Sequence, residues 1–333
     1  MQGKPCFYDI LSIDSYQDGQ PWEGLTQFLQ EFLYPLMIQS YHGIDFQPLW
    51  RATQHGIPVS LLYKTLSKRD LFKRGVFKYV FLHEKLYSHK AVAEAKIKKE
   101  FSSTTFPKAA LLNMISNLRQ CIVSLTITKD SSVWKKYDDQ NTYESEDVKK
   151  KERFIDEVLS EIKPNSLLDL GCNTGRYSFI ATKKIDRVVA CDLDPTCVDY
   201  IYHKDNPKIL PLVLNLMTPS PAMGWCLTER KDVFSRIKVD SFLALALMHH
   251  LCITYNVPLE SFVKFLRSIA PCGIVEWVDK QDPMVQFLLR NRTDIFENYT
   301  WENFELYVKK YFDIKKIVSL NKGNRKILFL GVN

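Results

Sequence analysis

Leu167-Leu168-Asp169-Leu170-Gly171-Cys172-Asn173-Thr174-Gly175-Arg176-Tyr177 is an apolar strand running into a turn with two glycines, with a helical pattern behind it. Gly171 lets the backbone turn sharply with no Cβ in the way. Gly175 lets a ligand or a neighbouring strand approach the helix start. Backbone N–H groups at that helix end suit a carboxylate, and Asp169 is placed to bind an ammonium, directly or through water. Seventeen residues after Gly175 the run Val188-Val189-Ala190-Cys191 closes on Asp192 and Leu193. An acid at the end of a second strand can accept both hydroxyls of a ribose. A third run, Leu212-Val213-Leu214, ends in Asn215 and Leu216, candidates for the edge and the face of an adenine. The dinucleotide fingerprint G-x-G-x-x-G does not fit, because Asn173 stands at its second glycine and no glycine follows at the third.

Outward from this segment, short apolar runs alternate with helical patterns. Strands are expected at 166–171, 187–192, 209–215, 241–248, 272–278, 312–319 and 325–332. Such alternation calls for a mostly parallel sheet with helices on both faces, an α/β class of Rossmann-like type. The last two runs flank Asn321-Lys322-Gly323-Asn324 and should pair as a hairpin. Ser145 can cap a helix with Glu146 and Asp147 in its first turn and Val148, Ile155, Val158 and Ile162 on one face. Residues 1–130 read as a mainly helical accessory region: strand-like at Pro5–Ile13, helical but interrupted by Pro35 over Trp22–Tyr41, and an exposed helix over Ala91–Glu100. A further helix opened by Pro107 should bury Leu111, Ile115, Leu118, Ile122 and Leu125. Polar residues cluster over Lys129–Asp139, so the second domain is expected from 131 to 333.

The 333 residues carry a net charge of +7, mildly basic on both sides of residue 150. That leaves nucleic acid open as a partner without favouring it. The eight cysteines form no C-x-x-C pair, and several lie in apolar runs, as buried thiols of a reducing compartment do. No apolar signal core follows Met1, and the longest apolar stretch, Phe242–Met248, is too short to span a bilayer. The expectation is a cytoplasmic protein with no membrane partner and no metal.

Asp169–Gly175 resembles the D-x-G-x-x-x-G opening of class I methyltransferases that use S-adenosyl-L-methionine. The wording Gly-Cys-Asn-Thr-Gly-Arg-Tyr-Ser from Gly171 is similar to a narrower group, the methyltransferases related to rhizobial nodulation proteins. Trp134-x-x-Tyr137, Pro219-Ser220-Pro221, Gly224-Trp225, Leu245–Leu251, Asp282–Val285 and Phe32–Leu36 extend the similarity over nearly the whole chain. The resemblance implies S-adenosyl-L-methionine held by Asp169, Gly171, Cys172, Asn173, Gly175, Asp192, Leu193, Asn215 and Leu216. It implies methyl transfer to an oxygen or nitrogen of an unidentified acceptor, with a small molecule or glycoconjugate favoured. An RNA or protein methyltransferase docking through residues 1–130, and a non-catalytic cofactor-binding scaffold, are the alternatives. Relatives carry more sequence before Pro5–Ile13, so this resemblance also implies an incomplete N-terminal region.

Acceptor chemistry is expected on loops after the fourth and fifth strands. His249 and His250 end the fourth strand, where an imidazole can take a proton near neutral pH. Glu276 is a charge inside the apolar run Ile274–Val278, and a buried carboxylate needs a partner. One of the two histidines is the natural candidate, making His249, His250 and Glu276 the catalytic set. Asp279 and Asp282 on the next loop are expected to pair with Lys280 or Arg292; holding a divalent metal with the histidines is the alternative. Trp134, Tyr137 and Tyr143 are read as a cofactor lid or a domain seam. No Asn-Pro-Pro-Tyr element follows the fourth strand, and Cys252 lies beyond the histidines, which argues against base amino-methylation and cytosine C5 chemistry.

Overall fold

The computed structural model describes residues 15–53, 55–88, 106–126 and 145–332. The expectations at Pro5–Ile13, Ala91–Glu100, Trp134, Tyr137, Tyr143 and the 130/131 boundary lie outside these residues. The described chain falls into two compact units, residues 15–126 and 145–332.

The first unit is helical and carries its own core, in which Leu29, Leu33, Met37, Ile38, Leu62, Val80 and Leu118 are buried. Pro35 does not interrupt the helix that runs from Leu25 to His42; the stretch Leu29–Leu33 widens into a π-helical turn instead. A proline removes one N–H and crowds the carbonyl four residues back, and the wider turn relieves both. Tyr34 N–H bonds back to the Leu29 carbonyl, five residues away. The next i+5 donor, for Gln30, would be Pro35, which has no N–H. The Ile57 N–H donates to the Gln30 carbonyl at 2.9 Å instead. Gly56 permits this approach: its φ is +75°, and a Cβ there would sit 2.5 Å from that carbonyl oxygen. The helix Lys108–Ser124 forms after Pro107 as expected, but with its buried face rotated. Met114, Leu118 and Cys121 are inside, while Ile115 is 47% exposed.

The second unit is a seven-stranded sheet: β1 (Ser166–Leu170), β2 (Arg187–Asp192), β3 (Ile209–Val213), β4 (Ser241–Ala244), β5 (Cys272–Val278), β6 (Asp313–Leu320) and β7 (Arg325–Gly331). Their order is β3-β2-β1-β4-β5-β7-β6, with β1 to β5 parallel and β7 antiparallel to both neighbours. Every residue of β1 and β4 is buried, as strands covered on both faces must be. Alternate residues serve opposite layers. Leu168, Leu170, Phe242 and Val275 pack with Phe262, Leu266, Phe304 and Val308 on one side. Leu167, Val188, Leu243 and Ile274 pack with Ile155, Val158 and Ala181 on the other. The strand order reverses between the parallel neighbours β1 and β4, so their carboxyl ends open a crevice at that switch point. No helix among the described residues is long and apolar enough to cross a membrane.

Candidate active site

A cavity of about 290 Å³ lies at this crevice. Its β1–β3 wall is made by backbone turns. Gly171 has φ +71°, and a Cβ there would press to 3.2 Å against Leu247. Asn173 has φ +48°, a left-handed conformation that asparagine tolerates better than most residues, which explains why it can stand where a glycine is usual. Its side-chain oxygen accepts from the Thr174 N–H at 2.6 Å. Its own N–H donates to Asp192 Oδ2 at 2.8 Å, while Asp192 Oδ1 accepts from the Asp194 N–H at 2.9 Å. Burial still raises the Asp192 carboxyl above the usual range. Asp169 is 2% exposed and accepts from Ser178 Oγ at 2.5 Å. Burial pushes its carboxyl up to about 6, against the opposing pull of that hydrogen bond.

The β4 wall follows from a strained segment. Ala246 has φ +48°, and the chain then enters a π-helical turn at His250–Thr254. The Leu251 carbonyl takes the N–H groups of both Tyr255 and Val257, and Asn256 leaves with φ +57°. Strained backbone and π turns concentrate at functional sites. His250 lines the cavity. Burial, reinforced by Arg325, pushes its imidazole down to about 4, so the ring is neutral near pH 7. His249 lies against it with ring centroids 4.1 Å apart and planes tilted by 39°, fully buried, and neither of its ring nitrogens has a hydrogen-bond partner among the described residues. Burial holds His249 neutral far below the ordinary histidine range.

Glu276 corrects one expectation. Its carboxylate ion-pairs not with a histidine but with Lys151 Nζ at 2.5 Å and Arg325 Nη1 at 3.4 Å, all three at most 2% exposed. Arg325 also forks onto Asp282, at 2.7 Å from Nε and 3.0 Å from Nη2. Asp282 therefore joins neither Lys280, which pairs with Asp294, nor Arg292, which reaches the Ile253 carbonyl. It caps the helix Pro283–Leu289, accepting from the Met284 N–H at 2.9 Å, and that helix brings Leu288 to the cavity. The Asp279 side chain accepts from the Gln281 N–H.

Asp169, Gly171, Cys172, Asn173, Asp192 and Leu193 thus share one cavity with Asn215, Leu216 and His250. Gly175, His249 and Glu276 stand behind its wall. Gly175 is needed for packing, since φ is +83° and a Cβ would meet Ile201 at 2.9 Å. Asn215 Oδ1 accepts from the Met217 N–H at 2.9 Å. Lys151, Tyr177, Thr254, Tyr255, Leu288 and Arg325 line the cavity without having been singled out. Lys151 had a signal: it sits three residues after Val148 and four before Ile155, on the apolar face of its helix.

Five parallel strands, the reversal between β1 and β4, and the antiparallel β7 inserted between β5 and β6 define the class I methyltransferase fold. The chain is similar to nodulation protein NoeA of Rhizobium meliloti (strain 1021), with 35% identity over 306 residues. That match takes in 90% of this chain and 64% of the relative's length. No family model matches the chain. Among solved structures, N-methyltransferase NodS from Bradyrhizobium japonicum WM9 is similar with a TM-score of 0.42 and 9% identity, over 57% of this chain and 99% of that one. Magnesium protoporphyrin IX methyltransferase (ChlM) from Synechocystis PCC 6803, with bound SAH, is similar at 0.39 and 13%, over 55% and 83%.

Proposed function

We propose that the second unit binds S-adenosyl-L-methionine along the carboxyl ends of β1–β3 and methylates an oxygen or nitrogen of an acceptor held against β4. The carrying observation is the single cavity in which Asp169, the Gly171–Asn173 turn and Asp192 face His250. The donor set fits the group: a buried carboxylate for an ammonium, left-handed turns whose N–H groups suit a carboxylate, and an acid for ribose hydroxyls. When bound there, the cofactor supplies an electrophilic methyl group on a sulfonium. Asp192, already held by two backbone N–H groups, retains lone pairs for two hydroxyls. Leu216 and Leu193 offer apolar cover for a base. His250 is the proton acceptor in this reading. Its ring is neutral near pH 7, and a weak base suffices once the acceptor atom has become an acidic onium group. His249 backs that ring, and Glu276 holds Lys151 and Arg325 in the wall; both act as positioning residues.

By analogy with the nodulation relative, the acceptor is a small molecule or glycoconjugate. The seven described cysteines are all free, which supports a reducing, cytoplasmic setting. Calorimetric titration of S-adenosyl-L-methionine and S-adenosylhomocysteine into the purified protein tests the core of this reading. Micromolar binding that Asp192→Asn abolishes or weakens is the expected result, followed by a search of extracts for an acceptor of labelled methyl. A folded, monodisperse protein that binds neither nucleoside overturns it.

A further inference from the structure

Asp169 sits on the central strand β1, buried, and still lines the cavity. An ammonium ligand needs it ionised, whereas burial favours the neutral acid. Charges on the neighbouring elements pull in both directions. Asp192 at the end of β2 opposes ionisation, and Lys151 of the Ser145–Ile162 helix favours it. The thiols of Cys172 and Cys191 and the Tyr177 phenol are held protonated by burial. Arg176 pairs with Glu152, and His250, across the cavity, is neutral near pH 7. Ser178 acts by contact: its Oγ donates to Asp169 Oδ2 at 2.5 Å. After burial, that hydrogen bond has the largest influence on the carboxyl, ahead of either neighbouring charge.

The helix Arg176–Ala181 delivers this hydroxyl. Its buried residues are Ser178 and Ala181, three apart and therefore on one face. Small side chains let the helix lie close against the sheet, and Ala181 shows that such packing is met by a methyl group. A hydroxyl at 178, fully buried, adds a polar group whose desolvation is costly unless it is bonded. The bond it makes is to Asp169, so the oxygen serves the carboxylate and not the packing.

Resting on the methyltransferase reading above, we infer that Ser178 is a positioning residue for the cofactor: its hydroxyl keeps Asp169 in the ionised form that the cofactor's ammonium binds, and leaves Oδ1 for that contact. A donated hydrogen bond stabilises a carboxylate over its acid. Without it the carboxyl, already pushed up to about 6 by burial, climbs toward neutrality. Below that midpoint the incoming ammonium has to displace a proton, and affinity falls as pH falls.

Calorimetric titration of S-adenosylhomocysteine between about pH 5 and pH 8 reads this directly, with circular dichroism confirming the fold of each variant. Ser178→Ala, which removes one oxygen, carries the test. It should move the affinity profile upward by roughly one pH unit: binding about tenfold weaker at pH 5, and within about twofold of the unaltered protein at pH 8. Ser178→Thr keeps the hydroxyl and should keep the midpoint, even where its added methyl lowers affinity uniformly. In Asp169→Asn protein no carboxyl is left there to titrate, so adding Ser178→Ala should leave the profile unmoved. A loss of equal size at every pH, no loss at all, or the same shift in the Asp169→Asn background overturns the inference. If the unaltered protein does not bind S-adenosylhomocysteine, the cofactor reading has failed; if it binds and Ser178→Ala leaves the profile in place, only the role of Ser178 has.

Discussion

The two walls of the cavity are built by different physics. The β1–β3 wall is local: a strand end, left-handed residues at Gly171 and Asn173, and an acid that receives backbone N–H groups of the adjoining turns. The β4 wall and the floor behind it are assembled from distant segments. Lys151 comes from the Ser145–Ile162 helix, Glu276 from β5, Asp282 from the loop beyond it and Arg325 from β7. A local wall should lose ligand affinity when altered and keep its fold; an assembled one should lose stability first.

The largest effect is expected at Glu276. Glu276→Ala leaves Lys151 and Arg325, each 2% exposed, without their shared counter-charge. Breaking one partner out of a buried ion network costs about 3–5 kcal/mol. Urea or thermal unfolding followed by circular dichroism measures this directly. A loss below about 1 kcal/mol, the scale of an exposed pair, would show that the network is not what holds this wall together. Asp192→Asn is the counterpart on the local wall. It should weaken S-adenosylhomocysteine by roughly 10–100-fold, the worth of about 1.5–3 kcal/mol in charge-assisted hydrogen bonds, with a smaller change in stability. If Asp192→Asn proves the more destabilising of the two, the contrast between the walls is reversed.

The same contrast governs what could be read from the sequence. The seven strands were expected within a few residues of where they lie: the parallel strands print as apolar runs separated by turn residues, and the antiparallel pair β6–β7 flanks the turn-rich Asn321–Asn324. The turn at Gly171–Gly175 and the acid at Asp192 were legible for the same reason: glycine, a strand end and an acid are close in the chain. Glu276 announced that it needed a partner, but not which one. Its actual partners are 125 and 49 residues away, and no periodicity encodes that choice. The π turn at His250–Thr254 was invisible as well, since a one-residue widening changes the register of a short apolar run without changing its composition. Pro35 illustrates the opposite error. A proline was taken to interrupt a helix, and the chain instead widened one turn and borrowed the Ile57 N–H from across the unit.

A finer effect distinguishes the acid of β1 from that of β2. Asp169, with its carboxyl near 6 because of burial, is largely protonated at pH 5 in the free protein. An ammonium ligand binds the ionised form, so S-adenosylhomocysteine affinity should rise as pH climbs toward about 6 and level off above 7. The steepest change is about tenfold per pH unit, one proton's worth of linkage. Stability of the free protein runs the other way for this group: a carboxyl raised above its unfolded value of 3.8 favours folding at the acid end and loses that contribution as pH rises through about 6. His250, lowered to about 4, contributes with opposite sign, losing stability as pH falls below its unfolded 6.5. The two overlap in an unfolding curve, so the discriminating comparison is binding with and without Asp169→Asn. A pH profile unchanged by that substitution would remove Asp169 from ammonium recognition.

The smallest expected effect tests whether strain is stored on the assembled wall. Ala246 has φ +48° between β4 and the π turn, where a Cβ costs about 1–2 kcal/mol and glycine costs nothing sterically. Glycine loses about 0.5–1 kcal/mol through its greater unfolded-state freedom. The net expectation for Ala246→Gly is a gain of about 0.5–1 kcal/mol in unfolding free energy, with S-adenosylhomocysteine affinity unchanged. A variant that gains no stability would mean that no strain is stored at residue 246, and that the π turn is positioned by its own carbonyl at Leu251 and the N–H groups converging on it.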